Sequence, residues 1–139
     1  MAEESSSTSA GLRDLAEQYG IRLILQFGST VTGREHEHSD LDLAIMQSRA
    51  DLPLRSLLEI QQKAQALFPG REVDLAVINR ADPLFLKKIT ERCRLLYGVP
   101  GDLARLRMYA FKRYQDYRRL LELERRFVAG RLAILGEAL

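Results

Sequence analysis

Short apolar segments alternate with amphipathic segments along this chain, and the alternation limits the folds that it can adopt. Residues 22–27, 41–46 and 72–78 are rich in aliphatic side chains and are too short to be buried helices, so they are typical of strands. The segments between them carry apolar residues at helical spacing. This order predicts an α/β domain. The predicted helices occupy residues 10–19, 53–68, 82–89 and 102–129, and a short edge strand is predicted at residues 93–97.

The chain has 139 residues, a length that fits one domain with its own core. Its single cysteine, Cys93, cannot form an intramolecular disulfide, which fits a reducing compartment. The first ten residues are acidic and Ser/Thr-rich rather than apolar, and no segment is long enough to span a bilayer. We expect a cytoplasmic protein with a disordered segment at residues 1–9, a core domain at residues 10–98 and a helical extension at residues 99–139.

Charge is distributed unevenly, although the net charge is only +2. Residues 1–48 carry three basic and eight acidic side chains, whereas residues 105–139 carry nine basic and four acidic side chains. The acidic part is therefore the expected place for a cation site. The basic end either meets an acidic partner or a nucleic acid, or it is a solvated helix face.

Three aspartates interrupt segments that otherwise have the composition of buried strands. Asp40 and Asp42 are two positions apart, so in a strand both carboxylates leave the same face, about 7 Å apart along the chain. Asp74 interrupts the next apolar segment. Carboxylates in such places are costly unless paired, and neighbouring like charges add to the cost. A divalent cation such as Mg²⁺ or Mn²⁺ would resolve the conflict, whereas Asp40 alone could be a turn residue.

A small polar turn follows the first predicted strand at Gly28-Ser29. Glycine lets a ligand approach the backbone, and the serine hydroxyl and free N–H groups can hold phosphate oxygens. The segment is not a phosphate loop of the Walker type, because Arg34-Glu35 stands where Lys and Ser/Thr are required. Arg34 either contacts phosphate or is a solvated loop residue. His36 and His38 are spaced to share a metal ion but flank acids in a polar loop, which favours a surface role.

The spacing of these motifs resembles that of a known superfamily. The chain contains, in order, Gly28-Ser29, a gap of ten residues, Asp40-Leu41-Asp42 and a later Asp74. This pattern resembles the nucleotidyltransferases related to DNA polymerase beta. The small size and the Gly33-Arg34 stretch are similar, more narrowly, to the minimal nucleotidyltransferase (MNT) antitoxins that are paired with HEPN toxins. The resemblance covers residues 10–98 and implies a small mixed sheet flanked by helices, with a long C-terminal helix.

The resemblance also implies a mechanism. Asp40 and Asp42 would bind two metal ions, Mg²⁺ with Mn²⁺ as an alternative, that bridge the triphosphate of ATP. Asp74 would complete the site and receive the proton of the attacking hydroxyl. Gly28 and Ser29 would hold the β- and γ-phosphates. The implied acceptor is a tyrosine hydroxyl of a cognate HEPN ribonuclease toxin, which adenylylation inactivates and with which the chain forms a hetero-oligomer.

Two other functions remain open on the sequence. The basic C-terminal helix, which carries Tyr114 and Tyr117, would allow an antitoxin that neutralises its toxin by binding alone. The shared catalytic pattern would also suit a small-molecule nucleotidyltransferase, such as one that modifies aminoglycosides, but 139 residues leave little chain for a substrate domain. Neither membrane association nor direct nucleic-acid binding is expected, because the basic residues lie far along the chain from the carboxylates.

Overall fold

The computed structural model describes residues 2–28, 31, 40–48 and 52–138. The described elements alternate between helix and strand, in the order predicted from the sequence. They are α1 (Ala2–Tyr19), β1 (Ile21–Phe27), β2 (Leu41–Gln47), α2 (Leu54–Leu67), β3 (Val73–Val77), a short 3₁₀ helix (Ile78–Arg80), α3 (Pro83–Glu91), β4 (Cys93–Tyr97) and α4 (Pro100–Ala138).

The four strands form one mixed sheet in the order β3-β2-β1-β4. The central strand β1 pairs antiparallel with both β2 and β4, whereas β2 and β3 run parallel. The parallel pair requires a crossover, and α2 supplies it. This arrangement confirms the predicted α/β class and the small mixed sheet flanked by helices.

A separate apolar core lies on each face of the sheet. On one face, α1 and α2 pack against β1 and β2 through residues such as Leu15 and Ile60, which are almost fully buried. On the other face, α3 and the first part of α4 pack against Leu23 and Leu25 of β1. The contact of α4 with this second core ends at Ala110 among the buried residues.

Asp82 caps the start of α3, and Arg22 fixes the start of α4 to the sheet. The Asp82 side chain caps α3 by accepting a hydrogen bond of 2.8 Å from the Phe85 N–H, and Pro83 occupies the first helical position, as the sequence predicts. The first turn of α4 is held by a two-pronged ion pair in which Arg22 of β1 donates to both carboxylate oxygens of Asp102, at 2.9 and 3.0 Å.

Two helices extend beyond their predicted ends. The first helix begins at Ala2 rather than Ala10, so it covers residues 2–9, for which the sequence predicts disorder. Serine and threonine cost only a few tenths of a kcal/mol each in a helix, and the buried Leu12 and Leu15 anchor the turns that follow. The last helix runs to Ala138 rather than Ala129, because apolar residues continue at helical spacing beyond that point.

None of the helices in the described part of the chain is long and apolar enough to cross a membrane.

Candidate active site

The three aspartates lie at one end of the sheet and on one of its faces. Strand alternation places Asp42 on the same face as Ala44, which belongs to the core under α3 and α4. The parallel register sets Asp42 directly beside Asp74 on the neighbouring strand, about 4.8 Å away along the pairing direction. Asp40 precedes Asp42 by two positions at the entrance of β2 and is exposed. The structure therefore brings together the three carboxylates that the sequence singles out.

Backbone and side-chain hydrogen bonds fix the start of β3, where Asp74 lies. The Leu41 N–H donates to the Glu72 carbonyl at 2.8 Å and opens the parallel ladder. On the outer side of this edge strand, Gln65 of α2 accepts a 2.9 Å hydrogen bond from the Val73 N–H, and the Gln61 amide donates to the Val73 carbonyl. Asp74 thus follows a residue whose backbone N–H and carbonyl are both hydrogen-bonded to side chains of α2.

The surroundings of the Asp42 carboxyl shift its pKa. Partial burial raises its pKa above the ordinary value, and the negative charges of Asp74 and Asp40 raise the pKa further. Lys88 of α3 acts in the opposite direction and lowers it. The cluster therefore concentrates negative charge. Within the described part of the chain, Lys88 is the one cation that lowers the pKa of Asp42.

Lys88 is a site residue to which the sequence reasoning gave no role. It lies one turn after Phe85, whose ring packs edge-on against Phe27 with centroids 5.9 Å apart. Because Phe27 is the register partner of Asp42, this packing brings the same face of α3 towards the acidic cluster. The available signal was weak, since a lysine inside an amphipathic helix is ordinarily a solvated residue.

Gly28 ends β1 next to Asp42 and has a left-handed backbone, with φ of +81°. A Cβ atom there would overlap the Asp42 Oδ2 and lie 3.1 Å from its Cγ. Glycine is therefore required both by the backbone conformation and by the close approach of the carboxylate. The Gly28 carbonyl accepts a 3.2 Å hydrogen bond from the Val31 N–H, so the strand leads directly into a turn, as predicted.

The donor set fits Mg²⁺ or Mn²⁺. Both ions prefer carboxylate oxygens, and a site with two or three carboxylates leaves positions for water and substrate phosphates. Within the described ranges, no group of three His, Cys, Asp or Glu side chains is placed so that it could hold a metal ion by itself. Asp40, Asp42 and Asp74 suit a metal whose remaining ligands come from a bound triphosphate.

Four of the residues considered in the sequence lie outside the described residues, so the structure neither places nor excludes them. They are Ser29 and Arg34, predicted to hold phosphate, and His36 and His38, predicted to lie at the surface.

A protein-family model described as "Polymerase beta, Nucleotidyltransferase" matches residues 11–99, which is more than half of the chain. The chain belongs to the polymerase beta nucleotidyltransferase family. A search of curated proteins by sequence found none that matches it. The match begins within α1 and ends directly after β4, so it contains the whole sheet and all three aspartates.

Solved structures reproduce the fold at low sequence identity. A chain of a toxin–antitoxin crystal structure with AMP-PNP superposes with a TM-score of 0.69 and 22% identity, covering 90% of this chain and 98% of that chain. A chain of the tri-AMPylated Shewanella oneidensis HEPN toxin in complex with MNT antitoxin gives a TM-score of 0.65 and 19% identity, covering 93% of this chain and 98% of that chain. Spectinomycin adenyltransferase from Enterococcus faecialis, with ATP and spectinomycin, gives a TM-score of 0.55 and 14% identity, covering 73% of this chain and 58% of that chain.

Proposed function

We propose that this protein is an MNT antitoxin that transfers AMP from ATP to a tyrosine hydroxyl of a cognate HEPN toxin and thereby inactivates the toxin. The observation that carries the proposal is the acidic cluster in which Asp42 and Asp74 are register partners beside Gly28. A nucleotidyltransferase needs such a cluster to hold a metal-bound triphosphate. The proposal extends the family assignment to a particular donor and acceptor.

The extent of the structural similarity supports the antitoxin assignment over other nucleotidyltransferases. The chain spans 98% of the matched chain in the toxin–antitoxin structure with AMP-PNP, so the two have nearly the same architecture from end to end. It spans only 58% of the spectinomycin enzyme, which has a large part with no counterpart here. The matched part suits an acceptor that brings its own structure to the site, and a protein substrate meets this requirement.

In the proposed reaction, the tyrosine oxygen attacks the α-phosphorus of ATP. The new bond joins the tyrosine oxygen to the α-phosphorus, and the bond between that phosphorus and the bridging oxygen breaks, so pyrophosphate leaves with both electrons of the broken bond. Asp74, which lies beside Asp42, accepts the proton of the tyrosine hydroxyl. The Gly28 backbone lets the phosphates approach, with Ser29 as a further phosphate ligand and Arg34 as a candidate one. Asp40, Asp42 and Asp74 would hold divalent metal, which would neutralise the charge that develops on the phosphoryl oxygens.

We assign the toxin contact to the first part of the C-terminal extension, next to α3. Arg107, Phe111 and Tyr114 of α4 line a groove of about 290 Å³ together with Lys87 of α3. Phe111 is 66% exposed although it is large and apolar, which is typical of a surface that a protein partner covers. A binding-only antitoxin would use the same surface, so the groove supports both forms of neutralisation.

Incubation of the chain with α-labelled ATP, Mg²⁺ and its toxin tests the proposal. Wild-type protein is expected to label the toxin, and Asp40→Asn with Asp42→Asn is expected to abolish labelling. The matched control is Asp14→Asn with Glu17→Gln, which removes two exposed carboxylates of α1, on the other face of the sheet, and should label normally. Label that persists in the Asp40/Asp42 double variant would overturn the assignment of the site.

The same variants separate the alternatives. If the Asp40/Asp42 double variant neutralises the toxin as well as the wild type does, the protein acts by binding alone. Transfer of label to a small hydroxyl compound with no toxin present would instead identify a small-molecule enzyme.

A further inference from the structure

The distal segment of α4, residues 118–137, extends beyond the two cores. Every residue in it is exposed except the half-buried Leu121. The exposed side chains include large apolar ones, such as Phe127 at 64% and Ile134 at 65%. Most of the stability of a protein helix comes from packing of its apolar face, so a helix with this much exposed apolar surface gains stability from a partner.

The apolar residues of the distal segment form two adjacent rows. The first row is Leu120, Phe127 and Ile134, and the second is Leu121, Val128 and Leu135. Within each row, successive residues are seven positions apart, and the two rows lie about 100° apart around the helix because they are one residue out of step. The two rows and the narrow strip between them form one broad face along the length of the helix.

This apolar face is symmetric about the point between Phe127 and Val128. Residues at equal distances on either side of that point are both large and apolar: Leu120 with Leu135, Leu121 with Ile134, and Leu123 with Leu132. When two identical helices pack antiparallel about a two-fold axis at this midpoint, each of these residues therefore meets an apolar residue of the other helix.

The charged residues on this face follow the same symmetry with opposite signs. Glu124 and Arg131 lie between the two apolar rows and are equally far from the midpoint. The Arg131 guanidinium lies 5.2 Å from the centre of the Phe127 ring, which keeps it on the apolar face. An antiparallel pair sets each acid against a base, whereas a parallel pair in register would set like charges against each other.

We propose that the distal segment binds the same segment of a second copy of this chain, antiparallel and about a two-fold axis between Phe127 and Val128. The interface is isologous, because each helix presents the same self-complementary face. The opposite side of the helix carries Arg119, Arg125 and Arg126, whose mirrored positions are Gly136, Gly130 and Ala129. These arginines have no acidic counterpart in the pair and remain in solvent.

Charge exchange tests the orientation. The full-length wild type is expected to behave as a dimer of 15.9 kDa chains in sedimentation equilibrium. Glu124→Arg sets arginine against Arg131 twice in the dimer and should weaken association by about tenfold or more. Glu124→Arg combined with Arg131→Glu restores both opposite-charge pairs and should restore the dimer. Arg126→Glu, on the outer side of the helix, is the control and should leave association unchanged.

Cysteine cross-linking in a Cys93→Ser background gives an independent readout. Val128→Cys lies beside the two-fold axis and should form a disulfide between two copies. Leu121→Cys alone should not, because the antiparallel arrangement separates the two cysteines by about 20 Å along the helices. A mixture of Leu121→Cys and Leu135→Cys chains should cross-link, because the two-fold axis places the row that contains both residues against the same row of the other helix.

Three results would overturn the proposal. The first is a wild type that stays monomeric at high micromolar concentration. The second is a combined Glu124/Arg131 variant that associates no better than Glu124→Arg. The third is efficient self cross-linking of Leu121→Cys, which would show a parallel pair. If the protein stays monomeric alone and the distal segment becomes protected from solvent when the toxin is added, the toxin is what covers the segment. That result would equally exclude a second copy of this chain as the partner.

Discussion

At the residue scale, the contact between Gly28 and Asp42 joins the end of a strand to the acidic cluster. Gly28→Ala should cost about 1–2 kcal/mol of stability, because an L-residue is strained at its positive φ. It should also displace the Asp42 carboxylate, which the new Cβ would overlap, and so reduce metal-dependent ATP binding. Urea unfolding and a nucleotide-binding titration measure the two effects.

Gly70 provides the matched control for this substitution. Its φ is +87°, close to that of Gly28, but nothing lies within 4 Å of an added Cβ. Gly70→Ala should therefore show the same backbone strain with unchanged ATP binding. Equal nucleotide affinity in the two variants would contradict a special role for the Gly28 contact.

Asp42 illustrates which part of the site sequence reasoning can reach. Its two-residue spacing from Asp40 fixes a shared face once a strand is assumed, and this could be predicted. The neighbour of Asp42 across the sheet, Asp74, could not be predicted, because the parallel pairing of β2 with β3 depends on a crossover whose register no local pattern encodes. The effect of Lys88 on the pKa of Asp42 could not be predicted either, because it arises from how α3 packs over the strand ends.

At the scale of elements, boundaries were predictable where local chemistry and tertiary packing agree. The Asp82-Pro83 start of α3 and the β4 strand at Cys93–Tyr97 lie where the sequence places them. The start of α1 was missed because a run of serine and threonine is typical of a loop. The propensity cost of that run is small, and the buried part of the same helix outweighs it.

The ion pair between Arg22 and Asp102 makes the docking of α4 on β1 depend on pH. The Arg22 hydrogen bonds and charge hold the pKa of Asp102 below its ordinary value. The folded state thus binds this proton less tightly than the unfolded chain does. The contribution to stability is full above the unfolded pKa, about 3.9, and is lost as the pH falls through the lowered folded value.

Asp102→Asn should therefore reduce the free energy of unfolding at neutral pH and flatten its fall in acid. Urea unfolding between pH 7 and the acid limit measures both changes. Asp116→Asn, an exposed position farther along the same helix, should leave the pH profile unchanged. A profile for Asp102→Asn as steep as that of the wild type would show that the pair does not control the docking of α4.

At the scale of the whole molecule, the near-neutral net charge is the sum of an acidic part and a basic part of the chain, which have different roles. The acidic end of the chain supplies the carboxylates of the site, and the basic end forms a helix that leaves the body of the protein. The contacts of α4 with the core end at Ala110, so the distal segment adds little to the stability of the monomer. Catalytic and associative functions should therefore be separable by truncation.

Deletion of residues 118–139 tests this separation. At protein concentrations too low for association, the free energy of unfolding should change by less than about 0.5 kcal/mol, because the described side chains that are lost are exposed, except the half-buried Leu121. ATP binding should be unchanged for the same reason.

Leu106→Ala, in the buried part of α4, is the contrasting variant and should lower the free energy of unfolding by about 2–4 kcal/mol. Raising the concentration should stabilise the full-length chain but not the truncated one, since only the former can gain from self-association. The separation of catalysis from association would be refuted if the truncated chain does not fold, or if the stability of the truncated and full-length chains depends equally on protein concentration.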